Sequence, residues 1–388
     1  MTTTISRAQA GAALAIGTIA LLMIGLQPVL LGELVEQKRI TLEGVGIVAM
    51  GEIVAVGIGV IVGDAFLPLA RLRMVTVVAA LCTALLDLLT ARLAGDTAFV
   101  AVRAAAGLAE GVLVWVTTCV IVRSAAPDRL AGIFLVVQTL AQAAVAAVLA
   151  LVVIPRGGWQ GGFVALALLS LLPLACVRGL PAGVAPLVET GSSRPPLNLA
   201  TVLALAVPFL QMAAIGSVWA YLEPLGRDAG WDGQAAQTLI SGVLLMQVIG
   251  GAAAASVVRR WNAASTLLAA SGVLGAATLA IHALPAGAAV PFAVLCAGFG
   301  FTWLFLMPFH IRLAFRADAA GRVAMLVPAM QLLGSAFGPL VASFVVTGEQ
   351  AHPVPLVGAV FAALGACAVV AGGLRRARWV SVGVAETR

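Results

Sequence analysis

The chain has 388 residues, of which 62% are hydrophobic and 10% charged. Soluble domains average about 45–50% apolar and about 25% charged residues, and their folding leaves much surface facing water. The composition therefore excludes a soluble protein and places the chain in a bilayer. The net charge of +6 suggests a nucleic-acid partner at first sight, but the placement of the arginines gives it another meaning.

Each helical crossing needs about 20 apolar residues. A porin-type barrel, built from short segments of alternating polarity, is excluded by the long Ala-, Leu- and Val-rich runs. Charges and turn residues predict twelve spans, at 8–33, 43–65, 73–93, 97–122, 130–154, 159–178, 198–223, 233–258, 263–284, 290–313, 322–347 and 354–375. The first follows Arg7 as an uncharged run from Ala8 to Gly32, too long for the core of a signal peptide, and reads as a span. Between Arg260 and Arg312 no charged residue occurs. As a single helix that run would reach about 75 Å, over twice the thickness of the hydrocarbon, so it must turn between Pro285 and Pro291.

With the N-terminus inside, Arg7, Arg71, Arg73, Arg123, Arg129, Arg178, Arg194, Arg259, Arg260, Arg312, Arg316, Arg322, Arg375, Arg376, Arg378 and Arg388 are cytoplasmic. Lys38, Arg39, Arg92, Arg156 and Arg227 fall outside, and Arg103 lies within a span. This asymmetry predicts both termini in the cytoplasm and removes the need for nucleic acid. The polar stretch after span six divides the chain into a six-helix half (1–179), a cytoplasmic central loop (180–197) and a second half with a short tail (198–388). The halves resemble a duplication at an offset of 193, which carries Arg129, Gln138 and Gly107 onto Arg322, Gln331 and Gly300. Internal repeats of this kind are common in secondary transporters.

Span four reads Arg103-Ala-Ala-Ala-Gly107-Leu-Ala-Glu110-Gly111. Arg103 and Glu110 are two turns apart and share a face with Gly107 and Gly111, where a neighbouring helix can approach closely. Two readings stand side by side. Arg103 reaches the headgroups while Glu110 makes a helix contact, or both serve function, since the duplicated half has Cys296 and Trp303 instead. Glu52 in mid-span two and Asp87 in the outer part of span three are further carboxyls in lipid, a setting in which such groups can take up and release protons. Glu52 shares a depth with Glu110, and Asp87 with Arg103. The five cysteines lie in apolar segments with no CxxC spacing, so neither disulfides nor a thiolate metal site is expected.

The RxxxGxxxG of span four, the twelve spans in two halves and the long central loop resemble the major facilitator superfamily. The resemblance implies an all-α membrane fold of two pseudo-symmetric six-helix halves and a role for Arg103 in proton coupling. Gly63-Asp64-Ala-Phe-Leu-Pro-Leu-Ala-Arg71-Leu-Arg73 is similar to the family's loop signature after span two, with stretched spacing, and implies a gating role for Asp64 with Arg71 or Arg73. The antiporter signature expected in span five is absent, although Gly334-Ser-Ala-Phe-Gly338-Pro339 in span eleven resembles it. A cavity lined by spans one, four, seven and ten, as the resemblance implies, selects Gln27, Arg103, Glu110, Gln211, Trp219, Tyr221, Glu223, Trp303, Phe305 and His310. An interfacial aromatic belt accounts equally well for Trp219 and Tyr221, and His310 and His282 read as structural.

There is no GxxxxGK[ST], HExxH or GxSxG, so an ATP motor, a metalloprotease and an esterase lack their chemistry. The expectation is a non-enzymatic, monomeric secondary transporter of the inner membrane, working by alternating access without a cofactor. Its partners are a small-molecule substrate, protons and the lipid bilayer. Proton coupling is assigned to Glu52, Asp87, Arg103 and Glu110, and export of an amphiphilic or cationic compound is favoured. Uptake of a small organic anion held by Arg103 and a non-transporting sensor are the alternatives.

Overall fold

In the computed structural model the chain is described over residues 5–186, 198–346, 348 and 350–385, with side chains described up to 372. Residues 187–197 of the predicted central loop, with Arg194, lie outside the described residues, as do Arg388 and the side chains of Arg375, Arg376 and Arg378. The described residues form eleven apolar helical stretches long enough to cross a membrane and no β-strand, and the stretch Pro127–Gly179 turns back on itself to make twelve spans. They are α1 (Arg7–Glu36), α2 (Leu42–Phe66), α3 (Leu72–Thr90), α4 (Asp96–Ile121), α5 (Pro127–Val148) and α6 (Ile154–Leu169). After the central loop come α7 (Leu199–Trp219), α8 (Gly233–Val257), α9 (Ala263–Ala283), α10 (Ala289–Ala317), α11 (Val327–Ser343) and α12 (Val354–Ala385).

Polar residues fix where these helices begin. Ser6 and Gln9 form a capping box at α1, and Asn198, Asp232 and Asn262 accept from first-turn N–H groups of α7, α8 and α9. Thr41 caps α2 and is itself held by the Asp96 carboxylate at the start of α4. The apolar stretch Pro127–Gly179 would extend about 80 Å as one helix, so it has to turn. It does so at Gly158, whose φ of 57° and ψ of −161° belong to a region that is essentially glycine's alone. The uncharged run after Arg260 breaks where expected, between Ala283 and Ala289. Span seven differs from expectation: α7 stops at Trp219, and the chain turns into a separate short helix, Leu222–Asp228.

Glycines let helices pack backbone to backbone. A Cβ on Gly59 would lie 2.2 Å from the Leu108 carbonyl oxygen, and one on Gly111 would lie 2.1 Å from that of Val56, so α2 and α4 touch directly. In the second set Gly250 and Gly300 do the same for α8 and α10, against the carbonyls of Phe301 and Val243. Gly334 and Gly338 seat α11 on the carbonyls of Phe209 and Ala213 in α7, which gives the signature-like stretch in span eleven a packing role.

The two sets meet chiefly through α2 with α11 and α5 with α8. Arg7, Arg71, Arg123, Arg259 and Arg316 define an arginine-rich face. On the opposite face the sets are clasped. The Trp219 indole N–H donates to the Ile24 carbonyl at 3.1 Å, and the Gly46 N–H donates to the Tyr221 hydroxyl at 3.1 Å. Gln237 donates to Glu33 at 3.0 Å, and Arg227 pairs with Glu36 at 2.7 Å. A Cβ on Gly46 would fall 2.1 Å from the Pro339 carbonyl oxygen, so the seam is tight at this face.

Candidate functional site

The α2–α4 contact brings four ionisable side chains together inside the first helix set. Arg103 of α4 is completely buried, and Glu52, Asp87 and Glu110 are at most 3% exposed. The Arg103 Nε donates to Glu52 Oε1 at 3.0 Å, with a second bond from Nη2 to the same oxygen. Nη1 donates to Asp87 Oδ1 at 2.6 Å and Nη2 to Glu110 Oε1 at 3.1 Å. A second ring of partners holds the carboxyls. Gln27 of α1 donates to Glu52 Oε2 at 3.3 Å, and Ser170, just past α6, donates to Asp87 Oδ2 at 2.9 Å. The Phe163 ring lies under the guanidinium, with the Arg103 Cζ 5.8 Å from its centroid.

The pairs that sequence depth suggested are thus one cluster, drawn from five helices of the same set. Arg103 does not reach the headgroups. One guanidinium balances one carboxylate, so three ionised carboxyls would leave two uncompensated negative charges sealed from water. Burying that much unbalanced charge is costly. Glu110 Oε2 is buried without a hydrogen-bond partner, which makes it the open position for one.

The remaining candidates have other partners. Gln211 is buried and donates to the Leu267 carbonyl at 2.9 Å and the Ser271 hydroxyl at 2.7 Å. Its Oε1 lies 2.6 Å from His310 Nε2, and Gln331 Nε2 lies 3.0 Å from His310 Nδ1. His310 is therefore the centre of a buried polar network joining α7, α9, α10 and α11, more than an end cap. Burial leaves Gln27 and Gln211 facing protein groups in this conformation. Trp219 and Tyr221 are buried in the seam between the helix sets, so neither belongs to an aromatic belt, and Trp303 meets Trp219 edge to face at 5.2 Å. Phe305 lines a crevice of about 580 Å³ between α9 and α10, with Trp261, Phe301 and Thr302.

Asp64 and the basic pair do not meet. The Trp115 indole points at Asp64 at 3.4 Å, whereas the Arg73 guanidinium donates to the carbonyls of Arg178 and Leu180 at 2.7–3.1 Å. Arg71 is exposed. Among the described residues no His, Cys, Asp and Glu group is arranged to hold a metal ion. Ser170, Glu33, Glu36, Arg227 and Gln237 were not singled out in the sequence; a lone serine in a leucine-rich turn and charges at helix ends carry no signal of their partners.

Neither a protein-family model nor a curated protein matches the sequence. Solved structures do match the arrangement of helices. A mutant of the nucleoside transporter NupG superposes with a TM-score of 0.73 at 13% identity, over 94% of this chain and 99% of that one. The xylose transporter XylE from E. coli, in a partially occluded inward-open conformation, superposes with a TM-score of 0.64 at 13% identity, over 93% and 98%. The chain has the major facilitator fold. Within the facilitator fold the duplication is visible in the packing, because Gly107 meets α2 as Gly300 meets α8. The cluster of one arginine and three carboxyls at Arg103 belongs to the first half.

Proposed function

We propose that the protein is a proton-coupled secondary transporter that moves a small molecule by alternating access. It would sit in the inner membrane with both termini and the arginine-rich face in the cytoplasm. The observation that carries this reading is the sealed Arg103 with three carboxyls around it and the open Glu110 oxygen. Such a cluster changes its proton content when water reaches it, and alternating access brings water from each side in turn. The clasped opposite face corresponds to the state closed towards the outside.

The substrate arguments available from sequence lose their support here. The carboxyls that favoured a cation are all turned onto Arg103, and the Arg103 donors that favoured an anion are all turned onto carboxyls. An uncharged, hydroxylated solute fits better, in keeping with the nucleoside and xylose named for the structural neighbours. A second reading, movement of an amphiphilic compound, rests on the aromatic crevice at Trp261, Phe301 and Phe305.

The test uses proteoliposomes with a pH dye inside. Addition of uridine or xylose should move protons in wild type. Glu110→Gln should abolish that movement while leaving substrate exchange across the membrane intact. Full proton movement in Glu110→Gln would remove the coupling assignment. Proton movement driven by an amphiphilic dye, and by neither solute, would select the second reading.

A further inference from the structure

The clasped face carries a second cluster, separate from the first and beyond the end of α7. Glu223, on the short helix Leu222–Asp228, is 1% exposed, and its Oε1 accepts from Arg227 Nε at 2.5 Å. Arg227 reaches across the seam to Glu36 of α1 at 2.7 Å. The Glu223 carboxyl lies over Gly32 of the same α1: a Cβ there would fall 2.4 Å from Glu223 Oε2, so a glycine is what admits the side chain. α1 also presents Glu33, which is tied to the neutral Gln237 of α8. Around Glu223 there are thus the carboxyls of Glu33 and Glu36 from α1, Arg227 from its own helix and an amide from α8, while Asp228 of that helix has His352 as its charged neighbour.

Resting on the alternating-access reading, we propose that Glu223 is a proton-operated latch: protonated, it stays seated over Gly32 and the face remains shut, and ionised, it leaves the seam and the face opens. The geometry requires that opening move it, because the side chain occupies the space between the two helix sets and α1 cannot separate from α7 and α8 without exposing it. Burial pushes the Glu223 carboxyl up to about 7, with Glu33 and Glu36 adding to the shift and Arg227 opposing it. Exposed in an open face, the same carboxyl returns towards about 4.3. The closed form therefore binds the proton more tightly. Closure is favoured fully below the ordinary carboxyl range, and the advantage disappears as pH rises through about 7.

Spin labels at Thr97 and Gln234, both exposed on the clasped face, report its opening by their separation in nanodiscs, in a background with the native cysteines replaced. Wild type should pass from a short to a long distance as pH rises through neutrality. Glu223→Gln should remain short throughout, whereas Glu110→Gln should still pass from a short to a long distance. A wild-type distance indifferent to pH overturns the latch, as does a Glu223→Gln protein that titrates like wild type. A response lost in Glu110→Gln and kept in Glu223→Gln would overturn the latch while leaving the Arg103 cluster as the coupling site. Glu36 is about half exposed, so Glu36→Gln provides a variant that folds. Without that charge the midpoint should fall, and an unmoved midpoint also counts against the proposal.

Discussion

Arg103 shows how one side chain determines whether several others can exist where they do. Removing it strands three carboxyls with no cation, so Arg103→Ala should cost about 3–5 kcal/mol at alkaline pH. The cost should be smaller in acid, where the stranded groups take up protons; melting temperatures in detergent at two pH values test both statements. Arg103→Lys should not rescue transport, because an ammonium cannot fork between Glu52, Asp87 and Glu110. Asp318 acts locally in the turn between α10 and α11. It accepts from the Arg322 side chain and from the N–H groups of Ala320, Arg322 and Val323, and the Arg322 hydrogen bond leads in lowering it to about 2. A lowered carboxyl stabilises the turn above its ordinary range and stops doing so as pH falls through about 2. Amide protection at Ala320–Val323, relative to intrinsic exchange, should therefore be flat in neutral and mildly acidic solution and fall only near that value, whereas Asp318→Asn should lower it throughout.

At the level of the helices, substitutions at glycines should separate by what their Cβ meets. On α8, Gly250→Ala drives a methyl to 1.9 Å from the Phe301 carbonyl oxygen, whereas Gly242→Ala meets nothing within 4 Å. The first should destabilise by about 1–3 kcal/mol and the second should stabilise by about 0.5–1 kcal/mol, read as opposite shifts in thermal unfolding. Helix existence was legible in the sequence because a 20-residue apolar run has few alternatives in lipid. The end of α7 was not, since the hydrophobic pattern runs through Trp219-Ala-Tyr221-Leu without a break and only packing against α1 bends the chain there. The glycine spacing of span four announced a close neighbour; that the neighbour is α2, and that Glu52 comes with it, depends on tertiary contact. The repeat offset gains meaning from the structure as well. Besides Gln138 and Gln331, it carries Thr18 and Thr117 onto Gln211 and His310, so the positions of the His310 network are polar in the first half too.

For the whole molecule, the conformation is held by bonds on one face, so weakening a single one should shift the balance between states. Tyr221→Phe removes the hydroxyl that accepts from the Gly46 N–H across the seam, a net loss of about 0.5–1.5 kcal/mol confined to the clasped form. At 1.4 kcal/mol per tenfold, the population open on that face should rise about two- to tenfold, visible as faster labelling of a cysteine placed behind the seam. The facilitator fold, the charge pattern and the isolated Arg103 were readable from the chain alone. Which of the aromatic and acidic residues serve as fasteners was hidden, because a clasp is defined by residues some 190 positions apart that no local pattern connects.

The grouping of Arg103 with carboxyls from α2 and α3 also constrains how the protein enters the membrane. Each of these two helices emerges from the ribosome carrying an acid that would cost about 3 kcal/mol at the centre of the bilayer, and the cation that answers both arrives only with α4. Packing the second and third segments against the fourth removes that cost, so the three are expected to settle in lipid as one unit.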